Sequence, residues 1–219
     1  MNLVLLGSPG AGKGTQAQRV AATKGWVHIA TGDLFRANVK AGTELGKTAQ
    51  QYMSRGALVP DEITVQMLLT RLAEPDTAKG VIFDGFPRNL AQARALDTAL
   101  ESSDSRVDRV VLIEVSDDES VARLSNRWMC RDCGNITGLP PGSQPGRCQR
   151  CGGELYQRDD DRPEVVRARL ESMKPPADMV DYYRKQGKFT TINGEGSLED
   201  VTRELLNALE IGSGDRNKV

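Results

Sequence analysis

A glycine-rich segment near the amino end constrains the fold of this chain most strongly. The apolar run at residues 2–7 has the length of a strand, and from Gly7 to Lys13 the spacing is G-x-x-x-x-G-K. In this pattern backbone N–H groups surround a phosphate chain, and the lysine reaches further along it. Good helix formers follow from Thr15 onward, and a helix N-terminus favours phosphate. The segment therefore predicts a nucleotide polyphosphate site between a strand and a helix.

The residue after Lys13 departs from the usual pattern, in which a serine or threonine hydroxyl binds magnesium. Here Gly14 takes that place and Thr15 follows one step later. The form G-x-P-G-x-G-K-G-T at residues 7–15 resembles the phosphate loop of the nucleoside monophosphate kinases. A plain Gly/Pro turn is the alternative, and the flanking strand, helix and lysine disfavour it.

Strand-like runs recur along the chain and alternate with segments of helical pattern. They lie at residues 27–30, 81–84, 107–115 and 189–193. This alternation predicts an α/β fold with a doubly wound parallel sheet of five strands, counting the first run. Helix starts are indicated at Asp61, Asn89, Ser116 and Ser197, and Glu119 completes a capping-box pattern with Ser116.

Two segments interrupt the alternation. Residues 30–59 form a helical insert punctuated by glycines, and residues 126–162 contain glycine, proline and cysteine that break both periodicities. We expect both near the carboxyl ends of the strands, as movable covers over a ligand. The core is predicted at residues 1–29, 60–125 and 163–209, and the tail 210–219 is expected to be disordered.

Composition and charge bound the class of protein. Charged residues make up 27% and hydrophobic residues 38%, which is typical of a soluble globular protein. The net charge of −1 indicates no general attraction to nucleic acid or to an anionic membrane. No stretch approaches a membrane span, and the first apolar run is too short for a signal peptide. We expect a cytoplasmic protein with neither nucleic acid nor membrane as a partner.

A carboxylate and an arginine follow the strand predicted at 81–84. Asp84, at the end of that strand and near the phosphate loop, suits a magnesium ion that keeps several waters; capping the turn is the alternative. Arg88 follows a rigid Gly-Phe-Pro turn, from which a guanidinium can bind a second phosphate through two hydrogen bonds.

The four cysteines form two C-x-x-C pairs with 14 residues between them. Cys130, Cys133, Cys148 and Cys151 thus match a tetrahedral four-thiolate zinc site. Such a site has no open position for water, so we expect a structural zinc that holds the insert together. A disulfide or redox role is the alternative.

Further motifs extend the resemblance to the adenylate kinases over nearly the whole chain, up to about residue 209. They are T-G-D-L-F-R at 31–36, G-A-L-V-P-D at 56–61, D-G-F-P-R at 84–88 with Gln92, and R-x-D-D-x-x-E-x-V-x-x-R at 158–169. The resemblance implies a helical NMP-binding insert, a zinc-binding lid, a monomer, and reversible phosphoryl transfer from magnesium-ATP to AMP to give two ADP.

The resemblance also implies roles for individual residues. Those implied for ATP are Gly10, Ala11, Gly12, Lys13, Gly14, Thr15, Arg123, Arg127, Ile136, Thr137 and Gly196. Those implied for AMP are Thr31, Arg36, Ala57, Leu58, Val59, Gly85, Phe86, Pro87, Arg88, Gln92, Arg158 and Arg169. The catalytic charges implied are Lys13, Arg88, Arg123, Arg127, Arg158 and Arg169, and Asp84 would hold magnesium through water. Ile136 and Thr137 stand where many lids of the family have a more polar or aromatic pair, and Gly196 offers only its backbone.

The arginines also support this chemistry by their spacing. Arg123 and Arg127 share one helix face, and Arg158 precedes Arg169 by eleven residues. Beside a phosphate loop they can neutralise the repulsion between two nucleotides. The acceptor would be an ionised phosphate oxygen, which needs no general base, so we expect His28 to be a strand residue and not a catalyst.

Three rival functions stay open from the sequence. A related kinase could accept UMP or CMP, because base choice rests on a few side chains such as Gln92. A zinc-ribbon ATPase that binds nucleic acid would share both motifs but should have interleaved aromatics, whereas aromatics here are 5% and Trp128 alone lies beside the cysteines. The third is a nucleotide sensor without catalysis.

Overall fold

The computed structural model describes residues 1–210, apart from the side chains of residues 163 and 164. Residues 211–219 of the predicted disordered tail lie outside the described part, and residue 210 ends the last helix. The strands are β1 Asn2–Leu6, β2 Val27–Ala30, β3 Val81–Asp84, β4 Arg109–Glu114, β5 Arg127–Cys130, β6 Ile136–Gly138, β7 Leu155–Tyr156 and β8 Phe189–Asn193. The helices are α1 Lys13–Lys24, α2 Thr31–Lys40, α3 Glu44–Met53, α4 Asp61–Leu72, α5 Leu90–Glu101, α6 Asp117–Ser125, α7 Pro163–Ser172, α8 Ala177–Lys185 and α9 Leu198–Glu210.

The main sheet confirms the predicted α/β fold. Its five strands are parallel and lie in the order β2-β3-β1-β4-β8. Asp84 at the end of β3 lies opposite Ala30 on one side and Leu5 on the other, so the carboxyl ends of β1, β2 and β3 meet at one edge. β4 is shorter than predicted, because it begins at Arg109 and not at residue 107.

Alternating side chains of the strands build a separate apolar core on each face of the sheet. Val4 of β1 packs with residues of α4, α5 and α8, including Leu96 and Tyr183. Leu5, the next residue of β1, packs on the opposite face with residues of α1 and α9, including Leu205. Helices on both faces leave the carboxyl edge of the sheet for a ligand.

The first insert consists of α2 and α3, which pack on the start of α4. Phe35, Ala49 and Val59 form its small core. The two helices cross closely at Gly46, where a Cβ would lie 2.2 Å from the carbonyl oxygen of Asn38. Only a glycine allows this crossing. The insert therefore has the helical structure that its sequence predicts.

The second insert contains a three-stranded antiparallel sheet in the order β6-β5-β7. Its apolar centre is formed by Cys130, Cys148 and Leu155, with Trp128 packed against them. β7 is only two residues long and β6 three, which explains why the sequence showed no strand period here. Within residues 1–210, no helix is long and apolar enough to cross a membrane.

Three local predictions need correction. Arg123 and Arg127 do not share one helix face, because α6 ends at Ser125 and Arg127 begins β5. Helix α1 begins at Lys13 and not at Thr15, because the left-handed Gly12, with φ of 89°, turns the chain directly into the helix. At α6, Ser116 accepts the N–H of Glu119 as predicted, but the reciprocal half of the capping box is wrong. The N–H of Ser116 donates instead to Glu195 at 2.9 Å, and the Glu119 carboxylate accepts from Arg123 at 2.7 Å.

Candidate active site

The phosphate loop lies between β1 and α1 and packs tightly on α6. Gly10 has φ of 88°, and a Cβ there would lie 2.7 Å from the carbonyl oxygen of Ser120. A Cβ on Gly14 would lie 3.3 Å from Oδ2 of Asp84. A larger residue at Gly10 would push the loop away from α6, and one at Gly14 would crowd the Asp84 carboxylate at the end of β3.

Lys13 is buried at the start of α1. Its Nζ donates to the carbonyl oxygens of Gly7 at 2.8 Å and Ser8 at 2.9 Å. Burial, together with the positive charge of Arg88, lowers the pKa of Lys13 to about 7, although Asp84 opposes the shift. An anion at the loop would favour the charged form of this lysine.

Asp84 is held by the one histidine of the sequence. Nε2 of His28, a residue of β2 as expected, lies 3.3 Å from Oδ2 of Asp84. Burial acts to raise the pKa of Asp84, but the His28 hydrogen bond and the charges of Lys13 and Arg88 outweigh it and lower that pKa. The carboxylate is therefore ionised at neutral pH, as a magnesium site requires.

Arg88 lies at the carboxyl edge of the sheet, in the turn between β3 and α5. Its Nε donates to the carbonyl oxygen of Gly85 at 2.8 Å, and its Nη1 lies 3.4 Å from the carbonyl oxygen of Met173. Burial lowers the pKa of this guanidinium, and Arg169 adds to the shift, whereas Asp84 acts to raise the pKa. Its remaining N–H groups can bind a phosphate.

Asp161 organises the arginines on the lid side. Its side chain is fully buried and accepts hydrogen bonds from Arg127, including one of 2.8 Å from Nε, and from Nη1 of Arg169 at 3.1 Å. Arg169 also lies 3.1 Å from the carboxylate of Asp160. Because one carboxylate binds two guanidinium groups, it fixes the distance between their charges.

Arg158 connects the lid to the first insert. Its Nη2 lies 3.9 Å from Oδ1 of Asp33, which also accepts from Arg36 at 2.5 Å. Burial and the nearby Arg36 and Arg127 lower the pKa of Arg158 to about 10. The Nε atoms of Arg158 and Arg169 are among the few buried side-chain atoms of the described residues without a hydrogen-bond partner. Buried guanidinium N–H groups without a hydrogen-bond partner favour an anionic ligand.

These side chains face one cleft of about 560 Å³ at the carboxyl edge of the sheet. Most of the residues predicted for the site line it: Gly10, Gly12, Lys13, Gly14, Thr15, Thr31, Arg36, Ala57, Leu58, Val59, Asp84, Gly85, Arg88, Gln92, Arg123, Arg127, Ile136, Arg158 and Arg169. Ala11, Phe86, Pro87, Thr137 and Gly196 are outside this lining. Phe86, for example, is buried in the core under the sheet.

Comparison with known proteins shows the family of the chain. A model of the adenylate kinase family matches residues 5–188. The chain belongs to the adenylate kinase family. An adenylate kinase of Salinispora tropica is 50% identical over 217 residues, which are 98% of this chain and 100% of that relative. Adenylate kinases of Streptomyces avermitilis and Archaeoglobus fulgidus are 49% and 47% identical, each over 96% of this chain and over 97% and 98% of the relative. The protein is thus an enzyme of the phosphotransferase class.

The lid of this adenylate kinase family member brings its four cysteines together. Their Sγ atoms all lie within 4.8 Å of one another, with Cys130 and Cys151 at 3.4 Å and Cys133 and Cys148 at 3.7 Å. Tetrahedral zinc with Zn–S bonds of about 2.3 Å places its sulfur atoms about 3.8 Å apart. The donor set and the spacing therefore fit zinc.

The glycine between the lid strands keeps this cluster compact. A Cβ on Gly153 would lie 2.8 Å from Sγ of Cys130 and 2.4 Å from Oδ2 of Asp132. The backbone N–H of Cys133 lowers the pKa of the Cys130 thiol to about 7. The Gly153 N–H acts to lower the pKa of the Cys151 thiol, but hydrogen bonds with the neighbouring sulfur atoms raise that pKa to about 12. A bound zinc ion would favour the thiolate at all four positions.

Sequence reasoning missed several acidic residues of the cleft. Asp33, Glu119 and Asp160 line it and pair with arginines. Asp160 and Asp161 lie within the R-x-D-D motif, but the motif did not show which arginines they hold. The spacing of Glu119 and Arg123, four residues apart on one helix, was a signal that could have found that pair.

Proposed function

We propose that the protein catalyses reversible, magnesium-dependent phosphoryl transfer from ATP to AMP, giving two ADP. The observation that carries the proposal is the cleft itself. The phosphate loop with Lys13, the turn and helix start with Arg88 and Gln92, and arginines of the lid all line it. One continuous cleft of this kind suits two nucleotides whose phosphates meet.

The donor would lie on the phosphate loop. Gly10, Ala11, Gly12, Lys13, Gly14 and Thr15 would hold ATP phosphates. Arg123 and Arg127 would flank ATP, and Ile136, Thr137 and Gly196 would lie near its base. The open backbone of the loop and the N-terminus of α1 support this assignment. Ala11, Thr137 and Gly196 lie outside the cleft lining.

The acceptor would lie against the first insert and the start of α5. Thr31, Arg36, Ala57, Leu58, Val59, Gly85, Phe86, Pro87, Arg88, Gln92, Arg158 and Arg169 would form the AMP site. Buried Arg88 would bind the acceptor phosphate, while Gln92 would contact the base. Phe86 would act from below by supporting the turn that carries Arg88, since it is itself buried in the core.

Catalysis would rest on charge and position. Lys13 and Arg88, with Arg123, Arg127, Arg158 and Arg169, would surround the reacting phosphates. Fixed cations would then stabilise the charge that spreads over the transferring oxygens. Magnesium, bound to ATP and held by Asp84 through water, would supply further charge neutralisation. The acceptor oxygen is ionised, so His28 would position Asp84 and need not accept a proton.

The domain boundaries that we propose are those predicted from the sequence. Residues 1–29, 60–125 and 163–209 would form the core, 30–59 the NMP-binding insert and 126–162 the zinc-binding lid. The zinc would be structural, because all four ligand positions are cysteines and the arginines lie outside the cluster. We also propose a cytoplasmic monomer, supported by the family resemblance and the ordinary composition.

A coupled assay tests the proposal. ADP formation from magnesium-ATP is measured with and without AMP, and the expected result is ADP only when AMP is present. Release of ADP without AMP would indicate an ATPase, and nucleotide binding without ADP formation would indicate a sensor. Equal rates with AMP, CMP and UMP would indicate the broader monophosphate kinase.

A further inference from the structure

One side chain and one backbone group lock the amide of Gln92 in one orientation. Gln92 is only 2% exposed, at the first turn of α5, and it lines the cleft. Its Oε1 accepts the backbone N–H of Arg88 at 2.7 Å, and its Nε2 donates to Oδ1 of Asp61 at 2.6 Å. A backbone N–H can only donate and a carboxylate oxygen can only accept, so these contacts decide which end of the amide is which.

Asp61 holds the Gln92 amide and the Asn89 amide at once, because each of its two carboxylate oxygens accepts one hydrogen bond. Its Oδ2 accepts from Nδ2 of Asn89 at 2.8 Å. The Asn89 amide cannot turn over, because its Oδ1 caps α5 by accepting the N–H of Gln92 at 2.8 Å. Two fixed donors therefore converge on residue 61, and an asparagine there could satisfy only one of them.

The locked amide has one bonding site left at each end. Oε1 keeps one lone pair and Nε2 keeps one hydrogen. A base that presents an amino group beside an unprotonated ring nitrogen complements this pair, as adenine does. A base that presents a keto oxygen beside a ring N–H, such as hypoxanthine or guanine, would face it donor to donor and acceptor to acceptor.

We infer that Asp61 is a positioning residue that fixes the Gln92 amide and thereby selects amino-bearing over keto-bearing monophosphates. The inference deepens the proposed function, since it rests on Gln92 contacting the acceptor base. Asp61 itself lies behind the amide, in the first turn of α4, and acts through Gln92.

The test compares AMP with inosine monophosphate, a purine that differs only by its keto group and ring N–H. Specificity constants kcat/KM are measured for both acceptors at saturating magnesium-ATP. We expect the wild type to prefer AMP by about 100-fold or more, because the keto base leaves buried groups unmatched. In Asp61→Asn each orientation of the Gln92 amide has one unfavourable contact. The preference for AMP over inosine monophosphate should therefore fall at least about tenfold, while the KM for ATP stays within about twofold.

Two further variants separate positioning from general destabilisation. Glu62→Gln removes a charge from the same first turn at an exposed position and should keep the wild-type preference. In the double variant Asp61→Asn/Asn89→Ser, serine still caps α5 but no longer donates to residue 61, so the asparagine oxygen can face Gln92. The double variant should regain a preference within about threefold of the wild type.

The outcomes distinguish this inference from the proposed function. An unchanged preference in Asp61→Asn, or no recovery in the double variant, overturns the role of Asp61. If Asp61→Asn melts below the assay temperature, both specificity constants are measured below its melting temperature, where a preference equal to that of the wild type still overturns the role of Asp61. Gln92→Leu should also lose the preference for AMP. If Gln92→Leu kept that preference, the inference would be overturned. AMP-dependent ADP formation by the wild type would still support the proposed kinase. Absence of that activity in the wild type would instead reject the proposed function.

Discussion

The side chain of Lys13 donates to two carbonyl oxygens of its own loop, which are neutral acceptors. With burial as the main cause, its pKa falls to about 7, so at pH 8 most molecules of the free enzyme carry a neutral lysine. Bound phosphate opposes this shift by favouring the ammonium form. The local charge balance around Lys13 thus depends on the nucleotide.

Binding of magnesium-ATP at pH 8 should therefore take up a proton at Lys13, and the uptake should disappear below about pH 6, where the lysine is already charged. Calorimetry in two buffers of different ionisation enthalpy measures this uptake. Lys13→Met should lack it and should lower turnover by about two to three orders of magnitude or more, because it removes a fixed charge at the reacting phosphate.

Lys24→Met provides the matched control, since Lys24 is exposed at the far end of the same helix. It should leave both proton uptake and turnover unchanged. Near-normal turnover in Lys13→Met would contradict the role given to this residue.

At the scale of single elements, the lid is the part of the fold whose stability we expect to depend on a metal. Its sheet has three short strands, and its apolar centre contains two of the cysteines. So few apolar side chains bury little surface, and a structural metal supplies the missing folding free energy in small units of this type. We therefore expect the lid to need zinc for stability.

Removal of zinc by chelation, or the Cys148→Ser variant, should lower the melting temperature. A loss of about 3 kcal/mol corresponds to roughly 6–12 °C for a protein of this size. Phosphoryl transfer should stay measurable at low temperature, because the arginines of the site lie outside the cluster. Return of zinc to the chelated protein should restore the melting temperature. A metal-free protein with full thermal stability and no transfer activity would show that zinc is catalytic.

The elements also show which features the sequence could predict. Parallel strands buried on both faces leave continuous apolar runs, so the five strands of the main sheet were predicted within two residues of their ends. Helix caps at Asn89 and Ser197 followed from local chemistry. Strands of two or three residues, such as β6 and β7, are too short to show a period.

Long-range pairs were beyond the sequence for a different reason. The motif around Asp161 was visible, but its contact with Arg127 joins residues 34 positions apart, and nothing local specifies such a partner. The same holds for Asp61 and Gln92, which are 31 positions apart. The sequence thus predicts which charges gather at the cleft, whereas only the fold shows which carboxylate holds which cation.

At the scale of the whole molecule, the inserts close over the edge of the sheet from two sides. Arg158 of the lid approaches Asp33 of the first insert, and Ser172 of α7 donates to the carbonyl oxygen of Gly56 at 3.0 Å. Closure of the inserts over bound nucleotides would exclude water, strengthen charge interactions and protect ATP from hydrolysis. We propose that the phosphoryl group passes directly from one nucleotide to the other inside this cleft.

The most direct test follows the γ-phosphoryl group of labelled ATP in a rapid-quench experiment with magnesium. With AMP present, the label should appear at the β-position of new ADP, one for each ATP consumed, with no labelled protein at any time. Without AMP, the label should stay on ATP. Label on the protein before it reaches ADP, or release of inorganic phosphate at the same rate with and without AMP, would contradict direct transfer.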